Sequence, residues 1–226
     1  MKRTIQIIGF LSFLVITSCS SIKVVDAWKN ESSVVNQFKE KNVFVVGRTA
    51  DNTARIAFEE AITNQLRSRG VKATSSFTKV PKIFPNKEMS EERVALMKSL
   101  LASEGYDAIV LTVIKEKEQN TRTSSSGIYV GASYGAYYPG HYGNFYNYYS
   151  YPYATGNYYN SFGGYVPLGD TTTETYTNYV LETVAYNLGE GDDNQLVAVV
   201  TTTLNDPKGA YKTADAYAEK IFESLQ

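Results

Sequence analysis

Val43-Phe44-Val45-Val46-Gly47, followed by Asp51 to Arg69 and then Gly70, decides the fold class of this chain. A short uncharged apolar run that ends in Gly has the character of a strand buried on both faces. The next stretch places Ala54, Phe58, Ala61, Ile62, Gln65 and Leu66 at helical spacing, with charges between them. That spacing predicts an amphipathic helix with Phe58 as its core anchor. Gly70 stands where a C-terminal cap belongs. A strand running into such a helix is the first half of a βαβ unit.

Reading outward, Val71 to Phe77 supplies a second strand and Lys79 to Lys87, with two prolines, a loop. Ser90 is a natural N-cap. Glu91 and Glu92 suit the positive helix end, and Met89 can staple onto Val94. Val94, Met97, Leu100 and Leu101 form the apolar face, and Gly105 closes the helix. Asp107 to Ile114 is a third strand that continues into polar Lys115 to Thr123, suited to an exposed antiparallel edge. Right-handed crossovers then make three parallel strands. After an unusual insert, Thr171 to Leu188 alternates, with Tyr179, Leu181 and Ala185 on one face. Gly189 to Asn194 is turn chemistry, and Gln195 to Leu204 returns as a strand. Pro207 introduces a last helix with Ala210, Ala214, Tyr217, Ala218, Ile221 and Leu225 on one stripe. The expected fold is α/β: a mixed sheet of about five strands, βαβαβ followed by a β-hairpin and a C-terminal helix, with three helices in all. Residues 41–122 and 170–226 form its two parts, and 123–169 the insertion.

The beginning of the chain has a different character. Met1-Lys2-Arg3 is cationic, and the apolar run from Ile5 to Ile16 is shorter than the ~20 residues a membrane-spanning helix needs. It has the dimensions of a secretory signal, removed from the mature protein. Ile16-Thr17-Ser18-Cys19 resembles the bacterial lipobox: an aliphatic residue, two small ones, then cysteine. The resemblance implies cleavage after residue 18, acylation of Cys19 by chains such as palmitate, and a lipid-anchored lead-in over 19–40. The alternative is an ordinary signal peptide with a chance cysteine. Cys19 is the only cysteine, so no intramolecular disulfide can form although export implies an oxidising compartment. Two or three acyl chains, at ~0.8 kcal/mol per buried CH2, anchor nearly permanently. By resemblance to known sorting rules, Ser20, where inner-membrane retention uses aspartate, points to the outer membrane facing the periplasm.

Without Lys2 and Arg3 the formal charge is −3, which offers no basic footprint for nucleic acid. Charge is also unevenly spread: between Thr123 and Gly169 there is no Lys, Arg, Asp or Glu, and most of the tyrosines lie there among Gly, Ser and Asn. Two readings of this insert compete. It is a flexible low-complexity loop, because glycine makes ordering costly, or it is a contact surface. Tyrosine supplies amphipathic area at low side-chain entropy. Tyr137, Tyr138, Tyr148, Tyr149, Tyr158 and Tyr159 are the candidate contact residues, for an envelope protein, a glycan or a second copy of the chain. On either reading Arg122 and Asp170 should lie close together, and excision of the insert should leave the fold intact.

Catalytic constellations are poorly represented. His141 is the only histidine and has no acid within twenty residues. Glu190, Asp192 and Asp193 lack the spacing of a calcium loop. Gly47-Arg48-Thr49-Ala50-Asp51 could receive an anion at a helix start, but has neither the glycines nor the lysine of a phosphate loop. Arg55 and Glu59, four apart on the first helix, read as a solvated pair worth ~0.2–0.5 kcal/mol. No catalytic, metal or cofactor residue is assigned.

Val45-Val46-Gly47, Arg55, Phe58-Glu59, Leu66 and Gly70-Val71, with Tyr106-Asp107-Ala108, the Tyr/Gly-rich insert and Leu196-Val197, resemble a group of uncharacterised bacterial envelope lipoproteins of Bacteroidota type. Ala198 departs from the aromatic residue expected there. The topology is also similar to the α/β domain of the curli secretion lipoprotein and to the amino-terminal domain of the Tol–Pal periplasmic protein, an analogy of fold alone. Taken together, the sequence reads as a non-enzymatic envelope lipoprotein that binds or scaffolds something at the periplasmic face of the outer membrane. The alternative is an enzyme acting on envelope polymers.

Overall fold

A computed structural model of the chain describes residues 21–80, 90–123, 127–129, 144–150, 165–167, 173–189 and 195–226. The apolar run at 43–47 lies in β2 (Asn42–Arg48), which is buried on both faces. It leads into α2 (Asn52–Ser68), whose N-cap Asp51 accepts a hydrogen bond from the Ala54 backbone N–H at 3.0 Å. After α2, Gly70 takes the left-handed φ of 82° that only glycine adopts freely, and β3 (Lys72–Ser75) pairs parallel with β2. Then α3 (Glu91–Ser103), capped by Ser90, leads to β4 (Ala108–Thr123), parallel to β2 on its other side. Because the chain steps from β2 outward to β3 and then back across β2 to β4, crossovers of one hand put α2 and α3 on opposite faces.

The rest of the sheet is antiparallel. β7 (Thr173–Asn187) pairs with β4, and β8 (Leu196–Asn205) with β7. A sixth strand, β1 (Ile22–Lys29), closes the order β1-β8-β7-β4-β2-β3. This strand and the following α1 (Ser32–Lys39) occupy the stretch expected to be a lead-in. The lead-in is instead an edge strand, with Ile22 opposite Leu204 and Lys29 opposite Ala198. Among the described residues four helices have eight residues or more, the last being α5 (Ala210–Ser224).

Two cores result. On the first face Val43, Val45, Val110 and Leu181 meet Ile62 and Leu66 of α2, Phe38 of α1, and Tyr217 and Ile221 of α5. On the second, Phe44, Val46, Ile109 and Leu111 meet Met97 and Leu101 of α3. Phe58 departs from expectation. It is only half-buried, its ring 5.0 Å from that of Tyr217, so its removal costs less than the ~3–5 kcal/mol of a fully buried aromatic.

β4 and β7 pair from Ala108–Asn187 out to Thr123–Thr173. Their neighbours stop earlier: β2 ends at Arg48, opposite Val113, and β8 at Asn205, opposite Asn178. The remainder is a two-stranded arm, with Arg122 opposite Glu174, whereas Asp170, expected beside Arg122, lies outside the described residues. Beyond it, β5 (Gly127–Tyr129) pairs with β6 (Tyr165–Pro167).

Candidate functional site

Strand register lines up Arg48, Val113, Glu182, Thr201 and Asp26 across the second face of the sheet. Side chains of register partners share a face, so a polar row crosses an apolar surface. A β-bulge after Ile114 leaves Lys115 without a register partner. Its Nζ lies 3.5 Å from Glu182 Oε1, with the two side chains 4% and 0% exposed.

The insert covers this row. Phe145, Tyr148 and Tyr149, three and four residues apart, share one face of α4 (Phe145–Ser150), and all three are buried in the second core. The Tyr148 hydroxyl donates to Glu182 Oε1, and Arg48 Nη1 donates to the Tyr149 carbonyl at 2.5 Å. The Phe145 N–H donates to Gln195 Oε1 at 3.2 Å. Cations lie over the rings: Lys115 5.4 Å from the Tyr148 centroid, Lys98 4.5 Å from that of Tyr146. Tyr148 and Tyr149, expected on a contact surface, are therefore core residues. The physical reason is that an aromatic i, i+3, i+4 face buries more area against the sheet than it can in water.

Burial sets the electrostatics here. It lowers the Lys115 pKa, against the opposing pull of Glu182. It raises Tyr149 to about 12, with Arg48 pulling back, and Tyr186, packed on Phe145 and Tyr148, well above its ordinary value. On the first face burial likewise raises Tyr217 to about 12. A phenol whose folded pKa exceeds its unfolded value stabilises fully below the unfolded pKa, and that stability is lost as pH rises through the folded one. Lys115, lowered, acts in the opposite sense and only up to its unfolded value. The folded protein should therefore lose stability from about pH 10 to about pH 12. Tyrosinate absorbance should grow in two phases, the second coinciding with loss of circular dichroism. A single phase with no unfolding would show these phenols to be accessible.

The Arg55–Glu59 pair also departs from its reading as a solvated face. The side chains are 2% and 0% exposed, with Arg55 Nε 2.9 Å from Glu59 Oε1. Glu59 Oε1 also accepts from the Gly47 N–H at 2.9 Å and Ser76 Oγ at 2.7 Å, and Oε2 from the Phe77 N–H at 2.7 Å. Arg55 donates to Ser76 Oγ and to the Val80 carbonyl. One carboxylate thus ties α2 to the end of β2 and to the turn after β3. A Cβ at Gly47 would sit 3.4 Å from Glu59 Cγ, at the near limit of ordinary van der Waals contact. The backbone donor an incoming anion would use at Gly47 is taken by Glu59.

Cys19, Tyr137, Tyr138, His141, Tyr158, Tyr159, Glu190, Asp192 and Asp193 lie outside the described residues. Among the described residues no group of three or more His, Cys, Asp or Glu is placed to hold a metal, and no helix is long and apolar enough to cross a membrane. Two cavities flank α2. One, of about 220 Å³, lies at the C-terminal ends of β2 and of the parallel part of β4, beside Gly47, Phe58 and Tyr179. The other, of about 440 Å³, lies under α1, α2 and α5. Neither is lined by Lys115, Glu182 or Tyr148.

The fold and these clusters define a mixed α/β domain with a helix of its insert docked on the sheet. No described family matches the chain, and no curated protein does. Among solved structures it is similar to the PelC dodecamer from Paraburkholderia phytofirmans, at 10% identity over 91% of this chain and 97% of that one, with a TM-score of 0.43. It is also similar to a DUF4136 family protein from Bacteroides thetaiotaomicron VPI-5482, at 12% identity over 91% and 96%, with a TM-score of 0.42. Likenesses at this level say nothing about ligand or activity.

Proposed function

We propose that the chain is a lipid-anchored cell-envelope protein, a non-enzymatic binding or scaffolding module at the periplasmic face of the outer membrane. The anchor rests on Ile16-Thr17-Ser18-Cys19 and the signal before it. The binding role rests on the way α4 is held: by Tyr148 on Glu182 and by Arg48 on the Tyr149 carbonyl. Each point at which a tyrosine-rich segment is held to the sheet lowers the ordering entropy that binding through it would cost. An envelope protein, a glycan or a second copy is the partner this composition suits.

Cys19→Ala should abolish acylation and leave the precursor uncleaved. Mass spectrometry that found unmodified Cys19 in the mature wild-type protein would overturn the anchor. Crosslinking in intact envelopes tests the second part. Partner crosslinks should fall when Tyr137, Tyr138, Tyr158 and Tyr159 are all changed to Ser, and their survival would remove the insert from recognition.

A further inference from the structure

The cavity of about 440 Å³ lies between the first face of the sheet and the helices α1, α2 and α5. The space is open on one side, and its volume lies within the range of ligand pockets. Its floor holds Val110, Val200 and the pair Ala185 and Ala198, which are register partners on β7 and β8. Two small side chains facing each other across strands are what opens the space. Leu66 and Phe222 form walls and Phe38 of α1 the roof. The interior offers almost no unengaged polar group. Thr183 is the deepest hydroxyl, and it is committed to Thr112 at 2.7 Å and Tyr217 at 2.9 Å.

The mouth is different. Lys29, Lys39 and Arg69 line it, all exposed, and among the described residues no Asp or Glu lines the cavity. Arg69 lies with its guanidinium 4.5 Å from the Phe222 ring centroid, and Lys29 Nζ is held at the end of α5 by the Leu225 carbonyl and a main-chain oxygen of Gln226 at 2.8 Å each. In a chain whose acids outnumber its bases, three cations around an apolar opening are a local concentration of positive charge.

We propose that this cavity binds one long-chain fatty carboxylate, its acyl chain inside and its head among Lys29, Lys39 and Arg69. A methylene occupies roughly the volume of a liquid water, about 30 Å³, so the space suits a single chain on the order of fifteen carbons and not a two-chain lipid. The occupant is a separate molecule and not the lipid of Cys19. The mouth lies at the Lys29 end of β1, and the chain enters β1 at Ile22, about 23 Å away along the strand. The proposal stands on the cavity alone and holds whether or not Cys19 is acylated.

The test uses the full chain carrying Cys19→Ala, with the fluorescent fatty acid cis-parinaric acid as probe. Saturable binding of one probe per chain is expected, with displacement by palmitate. Ala198→Phe fills the floor and should abolish binding while leaving the circular dichroism spectrum unchanged. If that variant fails to fold, Ala185→Leu, its register partner, serves instead. Arg69→Gln should weaken palmitate roughly tenfold, the loss of one charge-assisted contact, and leave neutral hexadecanol unchanged. No saturable binding, or binding that survives in a folded Ala198→Phe protein, would overturn the site. Equal loss of palmitate and hexadecanol in Arg69→Gln would overturn the carboxylate. Displacement by an anionic lysophospholipid but not by palmitate would do the same and assign the head to a lipid phosphate.

Discussion

Excising residues 124–168 and bridging the ends with a short Gly/Ser turn is expected to remove most of the domain's stability. By loop length alone the change should be nearly neutral, because closure entropy varies only logarithmically with length. Phe145, Tyr148 and Tyr149 reverse that expectation, because all three are buried in the second core. Each fully buried aromatic of this size is worth ~3–5 kcal/mol on truncation, and even a sub-additive sum rivals the ~5–15 kcal/mol of a whole domain. The excision also exposes apolar sheet and strips Glu182 of its tyrosine donor. Urea unfolding of the excised protein should show a collapsed or much lower midpoint. A midpoint equal to that of the wild type would mean that α4 does not dock, and the insert would revert to a simple loop.

Glu59→Ala carries the second large effect. Arg55 would be left buried without its carboxylate, and the Gly47 and Phe77 N–H groups would lose their acceptor. Breaking one side of a buried pair costs ~3–5 kcal/mol. The double variant Arg55→Met/Glu59→Leu should recover much of that loss, because the cost comes from the stranded charge and not from absence of the pair. Denaturant midpoints across the cycle decide the matter. A Glu59→Ala protein as stable as the wild type, or a double variant worse than either single one, would contradict the buried network.

The order β2-α2-β3-α3-β4 was legible because its signals are local: an uncharged strand, Asp51 and Ser90 as caps, and Gly70 and Gly105 at the ends. Three features were not, each for a separate reason. β1 is an edge strand whose partner β8 lies nearly the whole chain away, so nothing near Ile22–Lys29 announces it. Arg55 and Glu59 have the spacing of a surface pair, and only the approach of Gly47 and Ser76 buries them. α4 did leave a signal, since Phe145, Tyr148 and Tyr149 have helix-face spacing. The surrounding Tyr/Gly composition hid it, and with it the part of the candidate site the insert supplies.

The register also fixes which way the molecule would hang. Ile22, Leu204, Tyr179 and Lys117 stand in one row across the sheet. The chain therefore enters β1 at the end from which the two-stranded arm projects. From Ile22 back to Cys19 is three residues, a reach of about 10 Å at most. From Lys117 to Thr123 the arm runs about 20 Å further in the same direction. A leash shorter than the limb beside it cannot hold the sheet upright over a bilayer. Tethered through Cys19, the domain would have to recline, with the arm resting along the headgroups.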